Sequence, residues 1–243
     1  RHISISCSTD ELACDESNLC YMAAQAFFSR TGMRHYSVAI HIEKRIPIAA
    51  GLAGGSTDAA ATLIGLDRLY GTGLTTEELC GIGKRIGADV PFCVKRGISV
   101  TRGIGEIMSP CGRLPDCAIL IACEGERVPT PWAYRMVDEM KERTGQETMS
   151  VDRFTSLLSE KRGIEDIASG MRNIFEDAVL PHRERARELF QMMEQTGAIR
   201  VMMSGSGPSV FGVYRDMRSA ESAAKKLREN GIPPMICEPY YED

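Results

Sequence analysis

The stretch Lys44-Arg45-Ile46-Pro47-Ile48-Ala49-Ala50-Gly51-Leu52-Ala53-Gly54-Gly55-Ser56-Thr57-Asp58-Ala59-Ala60-Ala61-Thr62 decides how the chain is read. Before it, Val38, Ile40 and Ile42 recur at period two, which predicts a half-buried strand. After Asp58, an alanine-rich run to Leu66 places apolar residues at i, i+3 and i+4, which predicts a helix. Between them stand Gly51, Gly54 and Gly55, with Ser56, Thr57 and Asp58 as candidate N-caps. Glycine lets main chain approach a ligand closely, and the first N–H groups of a helix are donors aimed at an anion. The segment therefore suits a phosphate seat made of backbone amides, although the same glycines also suit a tight connection with no ligand. Two common nucleotide motifs are excluded. No Lys follows Gly55 as a P-loop requires, and Gly51-Leu52-Ala53-Gly54-Gly55 lacks the G-x-G-x-x-G spacing.

At 243 residues the chain is long enough for two domains and a sizeable core. With 43% hydrophobic and 26% charged residues it has the composition of an ordinary globular protein. A formal net charge of -4 argues against a general nucleic-acid surface. No apolar run approaches the roughly 18 residues of a membrane helix. The expectation is a cytoplasmic protein with neither nucleic-acid nor membrane partners, a monomer or a homodimer. The nine cysteines are irregularly spaced with no C-x-x-C, and the four histidines form no ligand pair. Reduced, buried thiols are expected rather than a protein-held metal.

Along the chain, residues 2–6 read as a strand and a helix is expected from about Ser17. Thr75-Thr76-Glu77-Glu78 forms a capping box that starts a helix to about Ile86. Asp89 follows in Gly87-Ala88-Asp89-Val90-Pro91-Phe92, read as a turn at that helix's C-terminus, where the macrodipole disfavours its charge. A strand is expected near 97–102, a boundary at Pro115 and Asp116, and a buried strand over 117–123. Helical pattern recurs over 132–141, 151–158 and 181–195. The C-terminal part reads as strand 199–203, the turn Ser204-Gly205-Ser206-Gly207-Pro208, strand 209–214, helix 219–230 and strand 234–238. That order predicts a split β-α-β, ferredoxin-like domain.

Pro47-x-x-x-Gly51-Leu52-Ala53-Gly54-Gly55-Ser56-Thr57-Asp58-Ala59-Ala60 resembles the ATP-phosphate loop of the GHMP kinases. Gly87-Ala88-Asp89-Val90-Pro91 is similar to the segment in which that family keeps its catalytic base. Met203-Ser204-Gly205-Ser206-Gly207-Pro208-Ser209-Val210-Phe211 is similar to its third motif, a glycine loop near substrate and phosphates. Within the family the likeness is to the branch that phosphorylates a cytidine-diphosphate-linked polyol in non-mevalonate isoprenoid synthesis. That branch usually has Gly where this chain has Ala53 and Ser where it has Thr57, and a Cβ at position 53 is expected to tighten the loop.

The resemblance implies an α+β, two-domain architecture. Residues 1–115 would be the ATP-binding domain, and residues 116–243 the substrate-side, ferredoxin-like domain. It implies ATP and Mg2+ as cofactors, with Asp89 as the base. On the nucleotide side it implies Pro47, Ile48, Ala49, Ala50, Gly51, Leu52, Ala53, Gly54, Gly55, Ser56 and Thr57, together with Lys44. Glu16-Ser17-Asn18-Leu19 resembles the family's Asp-Asn-Leu beside the adenine, which adds Asn18; a plain helix N-cap is the other reading of that residue. Thr130 and Tyr134, in Val128-Pro129-Thr130-Pro131-Trp132-Ala133-Tyr134, match the segment whose aromatic can stack on cytosine, although an aromatic at helical spacing is also an ordinary core residue. Gly205 and Ser206 join the substrate side. Arg172-Asn173-Ile174-Phe175-Glu176 resembles the family's Asn-Asp-Leu-Glu, with Ile174 in place of Asp, and is expected to be structural.

The family's opening Pro-Ala-Lys-(Ile/Leu)-Asn strand and Gly-Tyr-His have no counterpart in these residues, so no residue inherits those roles. The first domain is accordingly expected without its first strands and with an exposed sheet edge. Two alternatives stay open. One is a homoserine- or mevalonate-type kinase of the same family, and the other is a nucleotide-binding remnant without catalysis.

Overall fold

The computed structural model describes residues 1–103, 105, 107–145 and 150–241. The chain forms two compact units, one of residues 1–48 with 53–110, the other of residues 49–52 with 111–243. The composition change at Pro115 and Asp116 lies a few residues beyond that division.

In the first unit, β1 (His2–Cys7) and β2 (Ser37–Ile42) pair in parallel, with Ile3 opposite Val38 and Ile5 opposite Ile40. Helix α1 (Leu19–Thr31) connects them and ends on Gly32 in the left-handed conformation. It starts two residues later than the periodicity predicts, because Asn18 caps it. Helix α2 (Gly54–Tyr70) runs from the glycine-rich turn to Gly71, another left-handed stop. The core is shared by Ala23, Phe27 and Phe28 of α1 and Ala59, Ala60 and Leu63 of α2. Phe28 stacks on Tyr36 at 3.8 Å, with Tyr70 edge-on to it. Small alanines let the two helices approach, and the rings fill the space beyond them.

Helix α3 (Thr76–Gly83) begins at the predicted capping box: Thr75 Oγ1 accepts from Glu78 N, and Glu78 Oε2 accepts from Thr75 N. It ends earlier than predicted. A further short helix, α4 (Val90–Lys95), follows where a run into a strand was expected. Pro91 explains the difference, since proline sits well in a first helical turn, where its missing N–H costs nothing. Asp89 is thus at the N-cap of α4 rather than at the C-terminus of the preceding helix. The hairpin β3 (Ser99–Arg102) and β4 (Ile107–Pro110) closes the unit.

In the second unit, β5 (Ala118–Cys123) is followed by four helices: α5 (Thr130–Thr144), α6 (Asp152–Ser159), α7 (Ile164–Ser169) and α8 (Ile174–Val179). A 3-10 turn at Leu180–His182 leads to α9 (Glu184–Glu194). Then come β6 (Arg200–Met203), β7 (Ser209–Tyr214), α10 (Met217–Glu229) and β8 (Met235–Cys237). The sheet order is β6-β7-β5-β8, antiparallel throughout, which is the ferredoxin-like arrangement the sequence predicts. Helices α9 and α10 cover one face, burying Leu120, Val210, Leu189, Met193, Ala223 and Leu227. Tyr214 is fully buried there, and its hydroxyl is satisfied by Thr196 Oγ1 at 2.5 Å. Among the described residues no helix is long and apolar enough to cross a membrane.

Leu120 sits fully buried on the central strand. Leu120→Ala is expected to cost about 2–5 kcal/mol, the range for emptying a leucine-sized volume in a core that cannot collapse around it. Urea unfolding at fixed temperature measures it.

Candidate active site

Helix α2 starts on Gly54, one turn earlier than an N-cap at Ser56, Thr57 or Asp58 would give. Its cap is Ala53, at φ 50 and ψ 27, and no side chain bonds to the helix start. The first intrahelical bond runs from Thr57 N to the Ala53 carbonyl. The N–H groups of Ala53, Gly54, Gly55 and Ser56 therefore leave the helix end with no intrahelical acceptor. A side-chain cap at Ser56, Thr57 or Asp58 is ruled out because these three residues already lie inside the helix. Thr57 Oγ1 turns back to the Ala53 carbonyl at 3.0 Å.

Asp58 bonds to Lys44 Nζ at 2.5 Å, with the lysine side chain only 7% exposed. The ammonium lies beneath the helix start: a Cβ on Gly54 would come within 3.0 Å of it and 2.9 Å of Ile46. Gly54 is glycine because Lys44 and Ile46 fill that space. Lys44 is engaged with Asp58, so in this arrangement the ion pair braces the seat from behind. Asn18 is buried and its carboxamide is used by its own chain, accepting from Cys20 N at 2.9 Å and donating to the Ala13 carbonyl at 2.6 Å.

Asp89 is exposed at the start of α4. One turn on, Cys93 Sγ meets Thr57 Oγ1 at 3.6 Å, and a Cβ on Gly87 would lie 3.9 Å from Ser56 Oγ. Helix α4 is therefore packed against the first turn of α2, with Asp89 exposed at its N-cap. Its position at a helix N-terminus places it at the positive end of the local dipole, the reverse of the sequence reading. Burial pushes the Cys93 thiol above its ordinary range, which keeps it a neutral neighbour.

In the second unit, Gly51 is at φ 73, and a Cβ there would collide with the Ser204 carbonyl oxygen. Two main chains meet here: Ser204 Oγ donates to the Gly51 carbonyl at 2.8 Å, and Ser209 N donates to the Ala50 carbonyl at 3.3 Å. The turn Ser204–Pro208 is closed by Ser204 N to the Ser209 carbonyl at 2.8 Å and by Gly207 N to the Ser204 carbonyl at 2.9 Å. Gly205 is exposed at φ 54, and Ser206 is half-buried. Asn173 and Glu176, read from sequence as structural, reach this turn from the first turn of α8. An Asn cap with Glu three residues on announces a helix start, but nothing local announces a partner some thirty residues away.

Thr130 is the first residue of α5 and is exposed. Tyr134, one turn on, is 58% exposed, with Phe175 edge-on at 5.1 Å. It is not a core residue. It borders a cavity of about 670 Å³ that Phe154, Ile174, Phe175 and Met202 also line. Among the described residues no three His, Cys, Asp or Glu side chains gather as a cation cage. The side-chain oxygens in the first turn of α2 include the Ser56 hydroxyl and the Thr57 hydroxyl, which donates to the Ala53 carbonyl. That hard, sparse set fits a Mg2+ ion that keeps most of its ligands from phosphate and water.

Residues 18–97 match the family model described as GHMP kinases N terminal domain, and residues 156–233 match that described as GHMP kinases C terminal. A protein of Gloeobacter violaceus named 4-diphosphocytidyl-2-C-methyl-D-erythritol kinase is 39% identical over 237 residues, covering 96% of this chain and 78% of that protein. One of Alkaliphilus metalliredigens with the same name is 38% identical over 226 residues, covering 93% and 76%. A solved structure of 4-(cytidine 5'-diphospho)-2C-methyl-D-erythritol kinase is similar at TM-score 0.77 and 29% identity, over 98% of this chain and 82% of that one. A homoserine kinase structure from Cytophaga hutchinsonii is similar in fold at TM-score 0.75 and 18% identity, over 98% and 81%.

Two substitutions in the glycine-rich segment are expected to act in opposite directions. Ala53→Gly relieves a left-handed alanine, worth about 1–2 kcal/mol in strain, and gives back about 0.5–1 kcal/mol in chain entropy. The net is a small stabilisation. Gly51→Ala adds both left-handed strain and a backbone collision, so it should lower the melting temperature clearly. Calorimetry of the two variants beside the parent checks the signs.

Proposed function

We propose that this chain, which belongs to the GHMP kinase family, transfers the γ-phosphoryl group of ATP to the 2-hydroxyl of 4-diphosphocytidyl-2-C-methyl-D-erythritol, a step in non-mevalonate isoprenoid precursor synthesis. The observation that carries the reading is the open start of α2 with the Asp89 end of α4 packed beside it. The identity shared with relatives named for that substrate supports the choice of alcohol. The likeness to homoserine kinase is one of fold alone.

The roles follow from the chemistry of each group. Phosphoryl transfer asks a protein for positioning and for stabilisation of charge spread over the transferring oxygens. The amides of Ala53, Gly54, Gly55 and Ser56 donate to nucleotide phosphate oxygens, and their fixed direction means no donor has to reorganise as charge develops. In this reading Pro47 to Leu52 also belong to the nucleotide side. Lys44, held by Asp58, braces the helix start from behind. Asp89 takes the proton of the substrate hydroxyl. Mg2+, when bound with ATP, would neutralise phosphate charge, and the Ser56 and Thr57 hydroxyls at the α2 start are oxygens that would help hold it. On the substrate side, the exposed ring of Tyr134 is a stacking platform for cytosine. Thr130 supplies a hydroxyl next to it, and Gly205 and Ser206 supply turn amides.

A coupled assay with ATP and each of three alcohols tests the assignment. Turnover is expected with the cytidyl polyol. Turnover only with homoserine or mevalonate would reassign the substrate, and ATP binding with no turnover on any of them would favour the non-catalytic reading. In the active protein, Asp89→Asn should leave nucleotide affinity within a few fold and lower kcat by about 100- to 10,000-fold, the range for a positioned base. Near-normal kcat would remove Asp89 from the mechanism.

A further inference from the structure

Residues Asn173 and Glu176 occupy the N-cap and the third residue of α8, so both lie at its first turn. From there they reach a segment far away in sequence. Asn173 Nδ2 donates to the Met203 carbonyl at 2.8 Å and to the Gly205 carbonyl at 2.8 Å. Its Oδ1 accepts from Phe175 N at 3.0 Å, so one carboxamide both caps the helix and grips the turn. Glu176 Oε1 accepts from Met203 N at 2.9 Å. Met203 is 1% exposed, so the groups it offers have no water to fall back on. Burial also pushes the Glu176 carboxyl above its ordinary range, against the pull of the Met203 amide and of Arg200 and Arg172.

These contacts bear on the turn at its working end. Ser204, directly after Met203, donates through its hydroxyl to Gly51 in the first glycine-rich segment. Gly205, whose carbonyl Asn173 holds, is placed so that a Cβ on it would come 3.4 Å from the Gly51 carbonyl oxygen. With two left-handed glycines, Gly205 and Gly207, the turn has little preference of its own for one shape. Its own two hydrogen bonds close it, and contacts from outside add to what fixes its shape.

We propose that Asn173 and Glu176 are positioning residues for phosphoryl transfer, fastening the Ser204–Pro208 turn to α8 so that its amides are aimed. This rests on the kinase reading above and assigns a function to a pair that otherwise only starts a helix. Neither residue touches substrate; both act through the turn.

The test separates clamp from cap. Asn173→Asp and Asn173→Ser keep an oxygen that can cap α8, since Asp and Ser are good N-caps, but each lacks the carboxamide donor. Glu176→Ala removes the acceptor for Met203 N, whereas Glu176→Gln keeps an oxygen there. Amide hydrogen exchange over residues 203–207 is measured alongside kcat and KM for both substrates, well below the melting temperature. Expected are at least tenfold faster exchange in those amides and a tenfold or greater fall in kcat for N173D, N173S and E176A. E176Q should restore most of the rate that E176A loses. Unchanged exchange in N173D, N173S and E176A would overturn the clamp whatever the activity. Faster exchange with kcat within threefold of the parent would overturn its role in positioning, as would an E176Q as slow as E176A. If the parent itself phosphorylates none of the alcohols, it is the kinase reading that fails, and the exchange data still decide the clamp.

Discussion

A helix whose first amides meet no side-chain acceptor must satisfy them from elsewhere, and α2 is built so that they stay open. Most helix starts place Ser, Thr, Asp or Asn at the N-cap. Here that place is held by a left-handed alanine, and the residues that could have capped it lie inside the helix. Gly54 and Gly55 bring no side chain of their own to that end of the helix. The opening is held in shape from below, where Lys44 and Asp58 pair under Gly54. Removing one partner of so buried a pair would leave an uncompensated charge, which is far more costly than the pair is worth.

The second unit applies the same economy to another segment. Gly51 and Ser204 pack main chain on main chain, at a separation that no Cβ on Gly51 permits. Such contacts are specific because backbone groups have fixed directions, and short side chains cannot compete for them. What they lack is conformational bias, since glycine turns are permissive. Helix α8 adds it through two side chains that bind the carbonyl and the N–H of buried Met203.

The chemistry that results depends little on charged side chains. Of the charged side chains given roles, Lys44 and Asp58 are paired with each other and Glu176 accepts from Met203 N, which leaves Asp89. A site made of amides binds phosphate through partial charges that do not titrate, so its affinity is set by geometry rather than by the protonation of neighbours. In the proposed mechanism the exposed Asp89 carboxylate is left for the proton.

Much of this was legible in the linear sequence. The Val38–Ile42 alternation, the alanine-rich run after Asp58, the capping box at Thr75 and the strand-turn-strand-helix-strand order at the C-terminus are local signals, and local propensity and periodicity report them directly. The three glycine-bearing or Asp-bearing segments could be recognised one by one for the same reason. Helix boundaries were less visible: a left-handed alanine as cap and a proline-led helix after Asp89 run against the usual punctuation. Where the aspartate sits relative to a helix end changes the sign of its electrostatics, and only the chain's packing decided that. The partners of Lys44, Gly51 and Glu176 were out of reach altogether. Each bond joins residues far apart in the sequence, and hydrogen-bond partners at that range are chosen by the fold's geometry, about which a residue's own neighbours carry no information.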